Sequence, residues 1–352
     1  MNVSSQRFIK NKGTQQPVLS AQDLSIGYKI GNKRKVIASE LNLQLNKGTF
    51  ACLLGANGSG KSTLLRTLAG VQPPLHGHVT MGQQNIATMD KMMLAKNLSL
   101  VLTDVVNFGS LSVYEILTLG RYPYTGWFGI LTQSDKEIIR AAIDAVGIEK
   151  FLKERMHSLS DGERQKVMIA RALVQDTPLI FLDEPTAHLD LPNRVEIMRL
   201  LRKMARTTGK CILLSTHELD LALQAADEIW MMLPDHSILT GTPEDLILEG
   251  AFEKAFSKEG FDFSKETGTF KLNYIRREIP VTLQGSGVNY FWTKRALERE
   301  GFSLSENAPI VISILDDNNL AWEITSDHFT LKLNSIKSVL DSLNTQDWQQ
   351  FT

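Results

Sequence analysis

Short uncharged apolar runs alternate along most of this chain with stretches whose apolar residues recur every three or four positions. Phe50–Leu54, Leu179–Leu182 and Cys211–Leu214 are uninterrupted runs of this kind. Runs so short and without polar alternation predict strands buried on both faces of a mainly parallel sheet. Ile138, Ile139, Ala142, Ile143 and Val146 recur at helical spacing, as do Val195, Met198, Leu201 and Met204 or Ala205. Ser62–Leu68, soon after the first run, also reads as a helix. From Val18 to about Leu45 the spacing is strand-like, with a turn at Gly31-Asn32-Lys33-Arg34. This alternation of strand and helix predicts an α/β domain.

The pattern changes towards the C-terminus. Composition shifts after Gly241-Thr242-Pro243, and beyond about Phe270 the strands have one polar face. In Phe329-Thr330-Leu331-Lys332-Leu333 apolar and polar residues alternate strictly. Ile336, Val339, Leu340 and Leu343 then fall at i, i+3, i+4 and i+7, an amphipathic closing helix. Further elements are expected as a strand at Ile279–Leu283, a helix at Tyr290–Glu300, and strands at Ile310–Leu315 and Leu320–Thr325. The expected organisation is a polar tail over 1–17, the α/β domain over 18–250, a connecting segment over 251–274 and a small α+β appendage over 275–352. Trp292, Trp322 and Trp348 are expected to form the core of that appendage, which shows no ligand constellation of its own.

Composition narrows the function classes. The 352 residues carry a formal net charge of −1, which gives no support to a nucleic-acid-binding role. Cys52 and Cys211 each sit in an apolar run and read as small buried hydrophobes, without a disulfide framework or Cys/His metal spacing. A reducing cytoplasm fits this usage. The N-terminal residues are polar and lack the apolar core of a secretory signal. No stretch reaches the ~18 uncharged apolar residues that a spanning helix needs. Work at a membrane would therefore require other chains to cross it.

Gly55-Ala56-Asn57-Gly58-Ser59-Gly60-Lys61-Ser62-Thr63 fits the phosphate-loop pattern G-x-x-x-x-G-K-[ST], with a strand predicted before it and a helix after it. Glycines let successive N–H groups turn inward towards phosphate oxygens, and the helix that follows adds the positive end of its dipole. Lys61 is placed to reach the β- and γ-phosphates of a nucleotide and the Ser62 hydroxyl to ligand Mg²⁺. Leu179–Leu182 ends in Asp183-Glu184, 122 residues after that lysine. Asp183 suits the metal, and Glu184 suits polarisation of the water that attacks the γ-phosphate. His217, in the Ser215-Thr216-His217 that follows the Cys211–Leu214 run, can donate to the γ-phosphate and hold that water in line.

Leu159-Ser160-Asp161-Gly162-Glu163-Arg164-Gln165, which lies between these motifs, resembles the L-S-G-G-Q signature of the ABC ATPases. Ala187-His188-Leu189-Asp190 resembles the D-loop of that family, and the match covers roughly residues 18–250. The resemblance implies a P-loop NTPase fold of ABC type, with a β-subdomain and a helical subdomain beside the core sheet. It places Tyr28 against adenine and makes ATP and Mg²⁺ the ligands. It further implies a homodimer paired head to tail, in which Ser160, the Gly162 backbone and Glu163 of one subunit meet the nucleotide on the other's P-loop. Two motifs depart from the family pattern. Asp161 and Glu163 stand where glycine and glutamine are usual, and Asp161 is expected to face solvent or an arginine. Thr103 falls where the Q-loop glutamine normally ligands the metal; its hydroxyl is shorter, so water or Asp104 could fill the gap.

Leu111–Glu115 and Leu119-Gly120-Arg121-Tyr122-Pro123-Tyr124 resemble the ATPases of importers for iron-siderophores, haem and cobalamin. The resemblance implies that the region around Tyr114–Tyr124 meets transmembrane permease subunits, with turn chemistry at 121–126 and Tyr122, Tyr124, Trp127 and Phe128 at an interface rather than in a core. It also implies a solute-binding protein acting indirectly, and a peripheral location on the cytoplasmic face of the inner membrane. The alternatives are a non-transport ABC ATPase acting on ribosome or DNA, and an ATPase with a solute-sensing regulatory domain.

Overall fold

The computed structural model describes residues 16–31, 33–102, 108–126, 128–187, 189–256, 261–272, 280–316, 320–327 and 329–345. The chain divides into two compact units. One comprises the chain up to Ser257 together with Phe263–Thr269, the other Lys258–Asp262 and the chain from Phe270 onwards.

In the first unit the three apolar runs become strands Phe50–Gly55, Leu179–Asp183 and Cys211–Ser215, and every residue of the three is buried. They lie side by side in a six-stranded sheet. The order is Ile238–Gly241, Glu228–Met232, Phe50–Gly55, Cys211–Ser215, Leu179–Asp183, Leu98–Val101. All neighbours are parallel except the edge pair Glu228–Met232 and Ile238–Gly241. The absence of polar alternation in the central strands has this cause: both faces of each are covered. Cys52 and Cys211 are buried there, and burial pushes the Cys211 thiol up to about 12.

The strand-like region at the start forms the hairpin Leu19–Ile30 and Lys33–Leu45, which pairs with His76–Met81 and Gln84–Asn85 in an antiparallel sheet. A helical region carries Val113–Leu119, Tyr122–Thr125, Gln133–Val146 and Asp161–Val174. The stretch 121–126, expected as a turn, contains a single helical turn with Pro123 in its first positions, where the missing N–H is not needed. Within the expected connecting segment lies a helix, Ala251–Phe256, whose Phe252 is buried and stacks on Phe263 at 5.0 Å between ring centroids.

The second unit holds a five-stranded sheet in the order Ser303–Leu304, Pro280–Gln284, Ile310–Leu315, Ala321–Ser326, Phe329–Leu333. Helices Gly287–Arg299 and Ile336–Thr345 accompany it, with Val339, Leu340 and Leu343 buried in its core. The first helix begins three residues before the expected Tyr290; Gly287 and Asn289 add no apolar repeat, and Val288 is exposed. Trp322 is buried and its indole N–H donates to Thr293 Oγ1 at 2.8 Å. Trp292 is half exposed, contrary to the expectation of a core residue. Trp348 lies outside the described residues.

Candidate functional site

The parallel register brings three strand ends to one level. Asp183 pairs with Ser215, and Ser215 pairs with Leu53, two residues before Gly55. The loop Gly55–Gly60 and the helix Lys61–Leu68 therefore start beside the carboxyl ends of the Asp183 and Ser215 strands, the edge where parallel α/β sheets bind ligands. Gly60, with φ +109°, is needed at the turn into the helix, since a Cβ there would run into Ile37.

Lys61 is buried and donates to the carbonyls of Gly55 at 3.0 Å and Ala56 at 3.2 Å. Burial lowers its pKa, while the nearby Glu184 and Asp183 carboxylates act in the opposite sense. Ser62 Oγ donates to Asp183 Oδ1 at 3.0 Å, across 121 positions of sequence. Ser59 Oγ is buried without a hydrogen-bond partner among the described residues. An unpartnered hydroxyl in this glycine-rich loop at the start of a helix suits an anion as its missing partner. Tyr28 is partly exposed on its strand, and its hydroxyl shares a 2.5 Å hydrogen bond with Thr63 Oγ1.

Glu184 follows in a left-handed backbone conformation, φ +48°, which costs a residue with a Cβ of order 1 kcal/mol. The Ser215 hydroxyl sustains it. Ser215 Oγ donates to Asp183 Oδ1 at 2.6 Å and accepts from the Glu184 N–H at 3.0 Å. His217 Nδ1 lies 3.9 Å from Glu184 Oε2, and its Nε2 lies 3.4 Å from Glu218 Oε1. Arg194 pairs with that same Glu218 carboxylate.

The signature residues lie at the start of the helix Asp161–Val174. Ser160 caps it in a reciprocal box: the Ser160 N–H and hydroxyl donate to Glu163 Oε2 at 3.0 and 2.8 Å, and Ser160 Oγ accepts from the Glu163 N–H at 3.4 Å. These bonds hold the Glu163 carboxyl below the usual carboxylate range. Both departures within the signature thus have accounts, since Glu163 serves as the acceptor of the box and Asp161 pairs with Arg164. Gly162 is buried against Asn193. Asp190 caps the helix Leu191–Thr208 by accepting from the Asn193 N–H at 3.1 Å. Thr103, Asp104 and His188 fall outside the described residues.

Residues 38–187 match the family profile described as ABC transporter, and residues 278–344 match the iron ABC transporter C-terminal domain. An uncharacterized ABC transporter ATP-binding protein of Methanocaldococcus jannaschii is 37% identical over 272 residues, covering 77% of this chain and 92% of that protein. The chain belongs to the ABC transporter ATP-binding proteins. A petrobactin import ATP-binding protein of Bacillus anthracis is 33% identical over 69% of this chain and 88% of its own length. The first unit's fold is that of the ABC cassette, as in a dimeric bacterial ABC transporter cassette with 26% identity and TM-score 0.53, covering 60% of this chain and 93% of that one. The protein is thus an ATP-binding, ATP-hydrolysing cassette.

Lys61, Ser62, Asp183, Glu184 and His217 gather at one edge of the cassette, joined by Tyr28 through Thr63. Sequence reading missed Ser215, Arg194 and Glu218. Ser215 carries no motif; only the strand register sets its hydroxyl between the two carboxylates. Among the described residues no group of three or more His, Cys, Asp or Glu could hold a metal by itself. The oxygen donors Ser62 Oγ and Asp183 Oδ1 nonetheless fit Mg²⁺ arriving with a nucleotide, because that ion keeps water and phosphate oxygens and takes few protein ligands. No helix among the described residues is long and apolar enough to cross a membrane.

On the helical region Tyr122 and Phe128 are 66% and 86% exposed, and Tyr114 and Tyr124 are also exposed, so this cassette does not use them as core. Trp127 is outside the described residues.

Proposed function

We propose that this cassette powers an importer for a chelated-metal solute of the iron-siderophore, haem or cobalamin class. It would work as a homodimer, peripheral to the cytoplasmic face of the membrane and docked on permease subunits through Tyr114–Tyr124. The observation that carries the ATPase chemistry is the meeting of the Lys61 ammonium with the Ser62–Asp183 pair at one loop mouth. The importer reading is supported by the iron-type C-terminal match and by the petrobactin-import relative. Exposed aromatics on one short helix support the docking surface.

In this reading Gly55–Thr63 bind the triphosphate through backbone N–H groups, and Tyr28 faces the base. Lys61 exchanges its loop carbonyls for β- and γ-phosphate oxygens. Ser62 and Asp183, with Thr103 as a further oxygen, would hold Mg²⁺. That ion would supply charge neutralisation between the β- and γ-phosphates. Glu184 takes the proton of the attacking water, and His217 holds the γ-phosphate side of that water's path. Ser160 and the Gly162 N–H meet the γ-phosphate of the opposite subunit's nucleotide at the positive end of their helix, and Glu163 takes part in that site through its hold on Ser160.

A mixing experiment tests the paired arrangement. Ser160→Arg and Lys61→Ala subunits, each inactive alone, should regain part of the ATPase activity when combined, because one composite site in the mixed dimer is intact. No recovery at any ratio would overturn the head-to-tail pairing.

A further inference from the structure

One buried ion pair in the helical region has no part in the nucleotide site. Arg121 and Asp135 are 5% and 4% exposed, and Arg121 Nε donates to Asp135 Oδ1 at 2.7 Å. The same guanidinium donates through Nη1 to the carbonyl of Val174 at 2.9 Å. Val174 ends the signature helix, where last-turn carbonyls lack partners within the helix. The guanidinium also lies 3.9 Å from the centroid of the Tyr124 ring. Asp135 Oδ2 in turn accepts from the Thr132 N–H at 2.9 Å and the Thr132 hydroxyl at 2.6 Å, closing the start of the helix Gln133–Val146. Gly120 permits this approach, since a Cβ there would stand 2.7 Å from the Arg171 carbonyl oxygen.

Arg121 thereby joins three elements: the exposed aromatic turn, the start of one helix and the far end of the signature helix. Stability alone is a weak reason to keep such a pair, because apolar residues of similar volume often do as well. What the pair supplies is direction. A planar fork presents Nε and Nη1 to two acceptors at fixed angles, which a lysine cannot copy. The signature helix it grips is 14 residues long, about 21 Å at 1.5 Å per residue, and Ser160 caps its opposite end. Rigid elements linked by a charge-assisted contact can carry a displacement over that span.

We propose that Arg121 is a positioning residue that transmits movement of the docked Tyr122–Tyr124 turn into the signature helix, and so to Ser160. This rests on the docking surface proposed above. The readout is the ratio of ATP turnover by the cassette assembled with its permease to turnover by the cassette alone. Arg121→Lys, which can satisfy only one of the two acceptors, should lower that ratio at least about fivefold while the permease still co-purifies. If that variant does not fold, Arg121→Met combined with Asp135→Asn leaves no unpaired buried charge and should lower the ratio likewise. A merely structural role would reduce both turnovers together; an unchanged ratio in a folded variant overturns the proposal. Tyr122→Ala separates the two readings. If it abolishes permease assembly while the Arg121 variants keep a wild-type ratio, only the role of Arg121 fails. If Tyr122→Ala assembles normally, the docking surface fails and this role with it.

Discussion

In the cassette, Lys61, Asp183, Arg121 and Asp135 are charged and buried, and each is tied to other elements through directed hydrogen bonds. In the C-terminal unit the buried polar residues among those described are two threonines. Thr282 and Thr293 donate to the carbonyls of Ser305 and Asn289, and Thr293 also accepts from Trp322. Burying charge is costly unless something specific compensates it. The cassette carries that cost at the phosphate loop and, in the role proposed for Arg121, beside the proposed docking surface. The C-terminal unit, with neutral buried groups, is organised as an apolar core of Val281, Ile310, Ile312, Trp322, Ile324 and Val339.

Five measurements sharpen or break this contrast. Glu184→Gln should retain ATP binding but hydrolyse at least ~100-fold more slowly, since the attacking water loses its carboxylate partner. Lys61→Ala should instead weaken nucleotide binding itself; normal ATP affinity there would contradict the loop's assigned role. Ser215→Ala should lower turnover about tenfold with little change in apparent ATP affinity, as expected for a group that orients others. A wild-type rate in that variant would mean that the backbone alone holds Asp183 and Glu184. Removal of the chain after about Phe270 should leave ATP affinity unchanged, because all six core strands precede that point. Trp322→Phe, read by thermal unfolding of the full chain, should cost about 1 kcal/mol through the lost hydrogen bond and leave ATP affinity alone. A truncated chain that is folded yet cannot bind ATP would break the contrast.

Much of this was legible in the order of residues. The P-loop, the acidic pair and the signature are local patterns whose spacing carries their chemistry. The buried strands announced themselves by lacking polar alternation. Other features were hidden for identifiable reasons. Arg121 and Pro123 carry the composition of a turn, but tertiary contacts to Asp135 and Val174 hold Arg121 at the head of a helical turn. The helix Gly287–Arg299 begins at a glycine whose left-handed φ of +71° suits the turn into a helix, and a glycine gives no apolar signal. Trp292 belongs to the type that usually fills a core, yet it is half exposed on that helix, its ring against Phe291 and Arg295.

Local spacing by itself determined the loop that cradles phosphate, the helix that follows it and the pairing of two acids after an apolar run. These depend on residues a few positions apart, and their backbone geometry is encoded there. Only the tertiary structure decided that Ser215 stands between Asp183 and Glu184, that Arg194 and Glu218 back His217, and that Arg121 grips the end of the signature helix. Glu218 and His217 are neighbours in sequence, but the bonds of Ser215 to Asp183 and Glu184, of Arg194 to Glu218 and of Arg121 to Val174 join residues from 24 to 53 positions apart. Such contacts exist only once register and packing are set, because hydrogen-bond direction is a property of assembled elements and not of neighbouring residues.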